Sequence, residues 1–268
     1  MRPLRVIAFA LPLLSLTAPL AAQDRRDADE WVANCRRYNH DRETHCEVRE
    51  SRLSARGTLR VDGRENGGVS VKAWDGAGVL VRAKVQASAR SMETARRLAG
   101  GIRVHTDGDV IQADGPSTDR NESWSVSYEI FVPRNTGLEL RTNNGPIAVD
   151  GVSGEMDLRA HNGPLALREV SGDVEARTDN GPVTVTLDGD RWRGEGLDAE
   201  TTNGPITLSL PEGYSAELTT GTVNGPMNLD IPVTVRGRFP RQFTTTLGRG
   251  GAPIRVVTTN GPVNVRQR

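Results

Sequence analysis

Residues 144–185 read NGPIAVDGV-SGEMDLRAH-NGPLALREV-SGDVEARTD-NGPVTV. Glycine recurs every nine residues, at Gly145, Gly154, Gly163, Gly172 and Gly181. Two residues after each glycine stands an apolar residue: Ile147, Met156, Leu165, Val174 and Val183. Two further on stands another: Val149, Leu158, Leu167, Ala176 and Val185. Asn-Gly-Pro alternates with Val-Ser-Gly, so the true period is 18 with a nine-residue half. A unit this short cannot bury its own apolar face and must stack on its neighbours. The expected fold is all-β, a β-solenoid of ~18-residue rungs.

Six triplets mark the corners. They are Asn144-Gly145-Pro146, Asn162-Gly163-Pro164, Asn180-Gly181-Pro182, Asn203-Gly204-Pro205, Asn224-Gly225-Pro226 and Asn260-Gly261-Pro262. Their spacings are 18, 18, 23, 21 and 36. The first two excesses read as loop insertions, with residues 188–196 protruding. The gap of 36 reads as two rungs, one without its triplet, with Gly251-Ala252-Pro253-Ile254 a degenerate corner. Residues 236–250 read as an excursion whose Phe239 and Phe243 cover the end of the stack. In each triplet Asn bonds the backbone around a turn, Gly supplies a positive backbone angle, and Pro excludes helix. Stacked asparagines can hydrogen-bond up the column. A ligand-binding asparagine row is the alternative, and the structural ladder is preferred.

Upstream, residues 55–137 read as a β-rich cap, because an open solenoid end exposes unpaired backbone. Period-two alternation marks strands at Leu59–Val61, Val69–Val71, Val79–Val85, Ile102–Val104, Val110–Ile111 and Trp124–Val132. Gly63, Asn66-Gly67-Gly68 and Asp75-Gly76 read as turns between them. One short helix is expected at about 91–99, capped by Ser91, with Glu93 in its first turn, Arg96 and Arg97 in its last, and Gly100-Gly101 as its stop. The solenoid repeats then occupy 138–268.

Residues 1–22 read as a secretory signal peptide: Arg2 and Arg5, an apolar run from Val6 to Leu16, then small residues to Ala22. The chain is therefore expected to be exported, to the periplasm or the cell surface, with no transmembrane segment once residues 1–22 are removed. What remains carries 32 basic and 34 acidic residues. That balance argues against a nucleic-acid partner.

Residues 23–54 form a charged segment anchored by Trp31, Val32 and Tyr38 and expected to dock on the first strands or stay partly mobile. Its two cysteines, Cys35 and Cys46, read as a disulfide in an oxidising compartment. The alternative is a metal site with His40 and His45, but the spacing lacks the short cysteine pairs typical of zinc.

Chemistry is poorly signalled. Calcium rolls need paired glycines and an aspartate column, and the column is missing. Polysaccharide lyases and hydrolases cluster carboxylates on one exposed sheet. Asp157, Arg159, Arg168, Glu175 and Arg177 are candidates, yet they alternate as solvated pairs do. His161 stands before a corner, as Asn143 and Asp179 do, and reads as a surface residue. No catalytic residue, cofactor or metal site is expected, and the chain is not read as an enzyme.

The repeats Thr142-Asn143-Asn144-Gly145-Pro146-Ile147 and Thr258-Thr259-Asn260-Gly261-Pro262-Val263 fit T-x-N-G-x-[IV]. The run from Thr222 through Ile231-Pro232-Val233 and Leu247–Gly251 to Val265 adds to this. Together they resemble a bacterial β-strand-repeat family of unknown function that carries an adhesin label. The resemblance implies an exported solenoid and supplies no catalytic residues. The expected function is a cell-envelope or secreted binding module, with an envelope protein or glycan as partner. The alternatives are a periplasmic structural or sensory component, and a polysaccharide-active β-helix enzyme. Function is expected in the irregular parts: 188–196, 236–250 and the N-terminal arm.

Overall fold

The structure is a computed structural model, and it describes residues 30–35, 42–108, 110–231 and 241–268. The signal-peptide reading, His40, Tyr38, Phe239 and residues 236–240 of the 236–250 excursion lie outside the described residues. A helix over residues 30–35 (α1) precedes β1 (Glu43–Ser54), β2 (Thr58–Asp62), β3 (Val69–Trp74) and β4 (Gly78–Ala89). Then come α2 (Met92–Gly101), β5 (Arg103–His105), β6 (Val110–Asp114) and β7 (Ser123–Pro133). The repeats supply β8 (Gly137–Thr142), β9 (Ile147–Asp150), β10 (Ser153–Ala160), β11 (Leu165–Arg168), β12 (Ser171–Asn180) and β13 (Val183–Thr186). They continue as β14 (Gly196–Asn203), β15 (Ile206–Leu210), β16 (Ala216–Asn224) and β17 (Met227–Asp230). The chain ends with β18 (Gln242–Leu247), β19 (Pro253–Asn260) and β20 (Val263–Gln267). Among the described residues no helix is long and apolar enough to cross a membrane.

The fold is all-β. Among the described residues the strands form two ten-stranded sheets. The first runs β1-β4-β7-β3-β9-β11-β13-β15-β20-β17, and the second β18-β16-β19-β14-β12-β10-β8-β2-β6-β5. From β8 to β15 alternate strands enter alternate sheets, so each pairs in parallel with the one a repeat away: Ile147 with Leu165, and Leu165 with Val183. The apolar pairs that follow each glycine are all buried in one cluster between the sheets. Period-two burial on both sheets explains why these short segments are strands.

The stack begins earlier than the triplets. β2 pairs in parallel with β8, and β3 with β9. Asn66-Gly67-Gly68 therefore does not close a hairpin. It turns the chain from one sheet to the other, as the triplets do. Residues 43–54, read as a charged docking arm, form a 12-residue strand antiparallel to β4. β1 is an edge strand, where charge is compatible with pairing and protects against aggregation.

The far end departs from the linear reading. β19 lies between β14 and β16, in parallel with both. The gap of 36 is thus not two rungs. After β17 the chain places β18 antiparallel on β16, turns at Leu247–Gly250, and inserts its last unit inside the stack. Pro253 opens a strand rather than a corner. Residues 188–196 do not simply protrude: Trp192 is buried and its Nε1 donates to the Gly172 carbonyl at 3.0 Å. α2 starts where expected, with Ser91 Oγ accepting from the Thr94 N–H at 3.2 Å. It runs through Gly100 and Gly101 to a cap at Ile102, which leaves Arg96 and Arg97 short of the last turn.

The corner glycines need correcting too. Gly145, Gly163, Gly181, Gly204 and Gly225 do not have positive φ. They are glycines because a Cβ on each would collide with the carbonyl oxygen of the glycine in the next corner of the stack. Close backbone approach, not backbone angle, selects them.

Candidate functional site

The structure brings the six corner asparagines into one column. Asn162 donates to Asn144 at 2.9 Å, Asn180 to Asn162 at 2.8 Å and Asn203 to Asn180 at 2.9 Å. Asn260 then donates to Asn203 and Asn224 to Asn260, both at 2.8 Å. Asn66 joins at the head, accepting from Asn144 at 3.4 Å. Beneath the amides runs a second ladder. Thr178, Thr201, Thr258 and Thr222 donate to the carbonyls of Gly163, Gly181, Gly204 and Gly261 at 2.8–2.9 Å. Ala160 interrupts that series, and the Gly145 carbonyl it would have served is taken by Thr142 at 2.7 Å. The hydrogen-bonding groups of the repeated corners are thus occupied by one another.

The charged candidates are also spent internally. Arg159 binds Asp157 at 2.7 Å and Glu175 at 3.4 Å, and Arg177 binds Glu175 at 2.6 Å and Asp198 at 3.5 Å. Arg255 closes the series on Asp198 and Glu200. Asp157 holds Arg159 above the ordinary guanidinium range, mainly through that hydrogen bond. Arg168 does not join them; it lies on the other sheet, 4.0 Å from Asp150. His161 meets Asp179 at 2.6 Å on the surface.

Cys35 and Cys46 are disulfide-bonded, which ties α1 to β1 and removes the thiolates a metal site would need. His45 instead meets Glu47 at 3.2 Å. Trp31 of α1 lies 6.0 Å from Lys84 Nζ, over the outer side of β4. Beside it Glu129 binds Lys72 at 3.1 Å, Lys84 at 3.2 Å and Arg82 at 3.8 Å. Burial raises the Glu129 carboxyl, but the Lys84 charge and the Lys72 bond outweigh it and leave it below its ordinary value.

A cleft of about 430 Å³ opens where the repeat is broken, at the first corner. Val61 is in register with Leu140 and Asn66 meets Asn144, so this corner holds one residue more than the next. The extra length puts Arg64 in the left-handed region, at φ 55°. Such a conformation is uncommon for a side-chain-bearing residue and clusters at functional sites. Arg64, Glu65 and Asn66 form one wall; Asp114, Gly115 and Thr118 form the other; Ser123, Trp124 and Ser125 line the remainder. Arg64 pairs with Asp114 at 2.6 Å, His105 with Asp114 at 3.2 Å, and Asn143 donates to Glu65 at 2.6 Å. Trp124 Nε1 donates to the Pro116 carbonyl, which holds the ring in place. The Tyr128 hydroxyl, two residues beyond lining residue Val126, is buried without a partner. Burial pushes it well above its ordinary value, with Asp62 and Asp114 adding and Arg64 opposing. No sequence reading singled out this cleft. The available signal was the extra residue before Asn66-Gly67, visible when Val61–Val69 is set against Leu140–Ile147.

The family model described as Toastrack DUF4097 matches residues 59–266, from β2 to β20. Among solved structures, the chain is similar to a putative cell adhesion protein from Clostridium sporogenes, at 13% identity and a TM-score of 0.43, covering 84% of this chain and 100% of that one. It is also similar to a putative adhesin from Bacteroides fragilis, at 10% identity and a TM-score of 0.44, covering 84% and 97%. A putative adhesin from Parabacteroides distasonis matches at 8% identity and a TM-score of 0.36, covering 82% and 97%. No curated protein matches.

Proposed function

The chain belongs to the Toastrack DUF4097 family, and we propose that it is an exported, non-catalytic binding module. Its scaffold is read as a β-solenoid of ~18-residue rungs, whose T-x-N-G-x-[IV] corners serve the backbone. Its partner is an envelope glycan or protein, bound in the manner the adhesin label implies. The observation that carries this reading is the cleft at the first corner, of about 430 Å³ and lined by polar groups around Trp124. A concave site with a few convergent polar groups is the default place for a ligand. The long faces offer less, since Asp157 and Glu175 are held by Arg159 and Arg177. Export is supported by the n-region and apolar run of residues 1–16, and by the Cys35–Cys46 disulfide, which suits an oxidising compartment.

The test is a binding screen of residues 23–268 against envelope polysaccharides and matrix proteins. Saturable binding to at least one class is expected, and no binding above background in either overturns the reading. Incubation with pectin and alginate should release no unsaturated or reducing ends.

A further inference from the structure

We propose that the cleft between the first corner and the 114–125 segment takes a neutral saccharide, one or two sugar rings of a glycan. The proposal rests on the binding reading above and names its ligand class. Three observations lead to it. The first is the chemistry of the walls. Arg64, Glu65, Asn66 and Asp114 present planar groups with donors and acceptors side by side, and Ser123 and Thr118 add hydroxyls. Vicinal sugar hydroxyls both donate and accept, and match such groups in pairs. Trp124 adds an aromatic surface for the apolar C–H face of a ring.

The second is charge. Each ionic group of the cleft already has a partner: Arg64 with Asp114, Asp114 with His105, and Glu65 with Asn143. A phosphate or carboxylate at Arg64 would lie against the like charge of Asp114, and an amine at Asp114 against that of Arg64. A neutral polyhydroxyl ligand leaves the pair intact and bonds to its free lone pairs and N–H groups. The third is the Tyr128 hydroxyl, buried without a partner and within electrostatic reach of Arg64 and Asp114 of the cleft. Leaving such a group unpaired costs free energy, which a ligand group that hydrogen-bonds to it would recover. The cavity volume falls within the roughly 300–1,000 Å³ of small-molecule sites.

The experiment follows Trp fluorescence and calorimetry of the disulfide-bonded chain, titrated with neutral gluco-, manno- and galacto-oligosaccharides, oligogalacturonate and a basic peptide. Saturable binding of at least one neutral oligosaccharide is expected, with an affinity unchanged from low to high salt. Two variants localise it without threatening the fold. Arg64→Gly suits the left-handed backbone, and Tyr128→Phe removes only the unpaired hydroxyl. Each should weaken binding about tenfold or more while thermal unfolding stays the same or rises. Binding of neutral sugars that both variants leave intact overturns the assignment to this cleft. Binding of oligogalacturonate or the peptide, with no neutral sugar bound, overturns the saccharide class and leaves the binding reading standing. No binding of any kind overturns both.

Discussion

The corner at Asn162 and the corner at Asn66 do the same topological job in opposite ways. Both turn the chain from the second sheet to the first, and both place an asparagine in the same amide column. At Asn162 the backbones approach so closely that only glycine fits at Gly163. At Asn66 the corner glycine, Gly67, is packed as tightly, but one extra residue lifts Arg64 out of the pattern, glycine replaces proline at Gly68, and a cleft opens. The repeated corner spends its polar groups on its neighbours. The broken one keeps some facing outward. In a stack of this kind regularity is a structural property, and ligand chemistry belongs where the period slips.

The sharpest way to break that contrast is to add one methyl group to the regular column. A Cβ at Gly163 would overlap the Gly145 carbonyl oxygen, backbone against backbone, with no flexible side chain to move aside. Gly163→Ala should therefore cost about 3 kcal/mol, at the upper end of overpacking. Gly57, beyond the column, has no atom within 4 Å of an added Cβ, and Gly57→Ala should stay within about 0.5 kcal/mol. Urea unfolding of the two variants measures the difference. Equal stabilities would mean that the glycine column is not a close-packed feature at all.

What was legible in the sequence follows the same line. The apolar pairs after each glycine were readable because burial alternates within one strand, and so were the asparagine corners, because equal spacing implies stacking. Four things were not. The glycine role depends on a carbonyl 18 residues away, which local propensity cannot reveal. The strand order places Asn260 between Asn203 and Asn224, and linear spacing carries no information about a chain that doubles back. β1 reads as a charged arm because edge strands are selected to look polar. The cleft was missed for a further reason: the sheet change at Asn66-Gly67-Gly68 resembles a hairpin turn until β3 is seen to pair with β9 rather than β2.

The threonine ladder gives a second, smaller test. Thr178 Oγ1 donates to the buried Gly163 carbonyl. Thr178→Val keeps the shape and leaves that carbonyl without the hydroxyl, at a cost of about 2 kcal/mol. At the position of Ala160 the ladder is already broken, and Thr142 stands in from its own corner. Thr142→Val should then cost a similar amount, and adding Ala160→Thr should restore most of it. A double variant no more stable than Thr142→Val alone would show that the two hydroxyls are not interchangeable donors to Gly145.

The least perturbing test uses pH and compares the charges of the two regions. In the stack the carboxylates are open to water: the Asp157 and Glu175 side chains are 36% and 39% exposed. At the first end Glu129 is 14% exposed and faces Lys72, Arg82 and Lys84. Burial alone would raise its carboxyl, yet the Lys84 charge and the Lys72 hydrogen bond win, so it ionises more readily folded than unfolded. A depressed carboxyl contributes stability above its unfolded value, 4.5 here, and loses it as pH falls through the folded value. Glu129→Gln should therefore be less stable than the parent by roughly 1 kcal/mol at neutral pH. The gap should close as the solution is acidified below the ordinary glutamate range. Asp157→Asn, in the exposed ladder, should show a smaller gap at neutral pH, because solvent screens its pairs. If the two variants lose equal stability at neutral pH, or the Glu129→Gln gap does not close with acid, the charges at the first end are no more buried in effect than those of the stack, and the distinction between the regions narrows to backbone geometry.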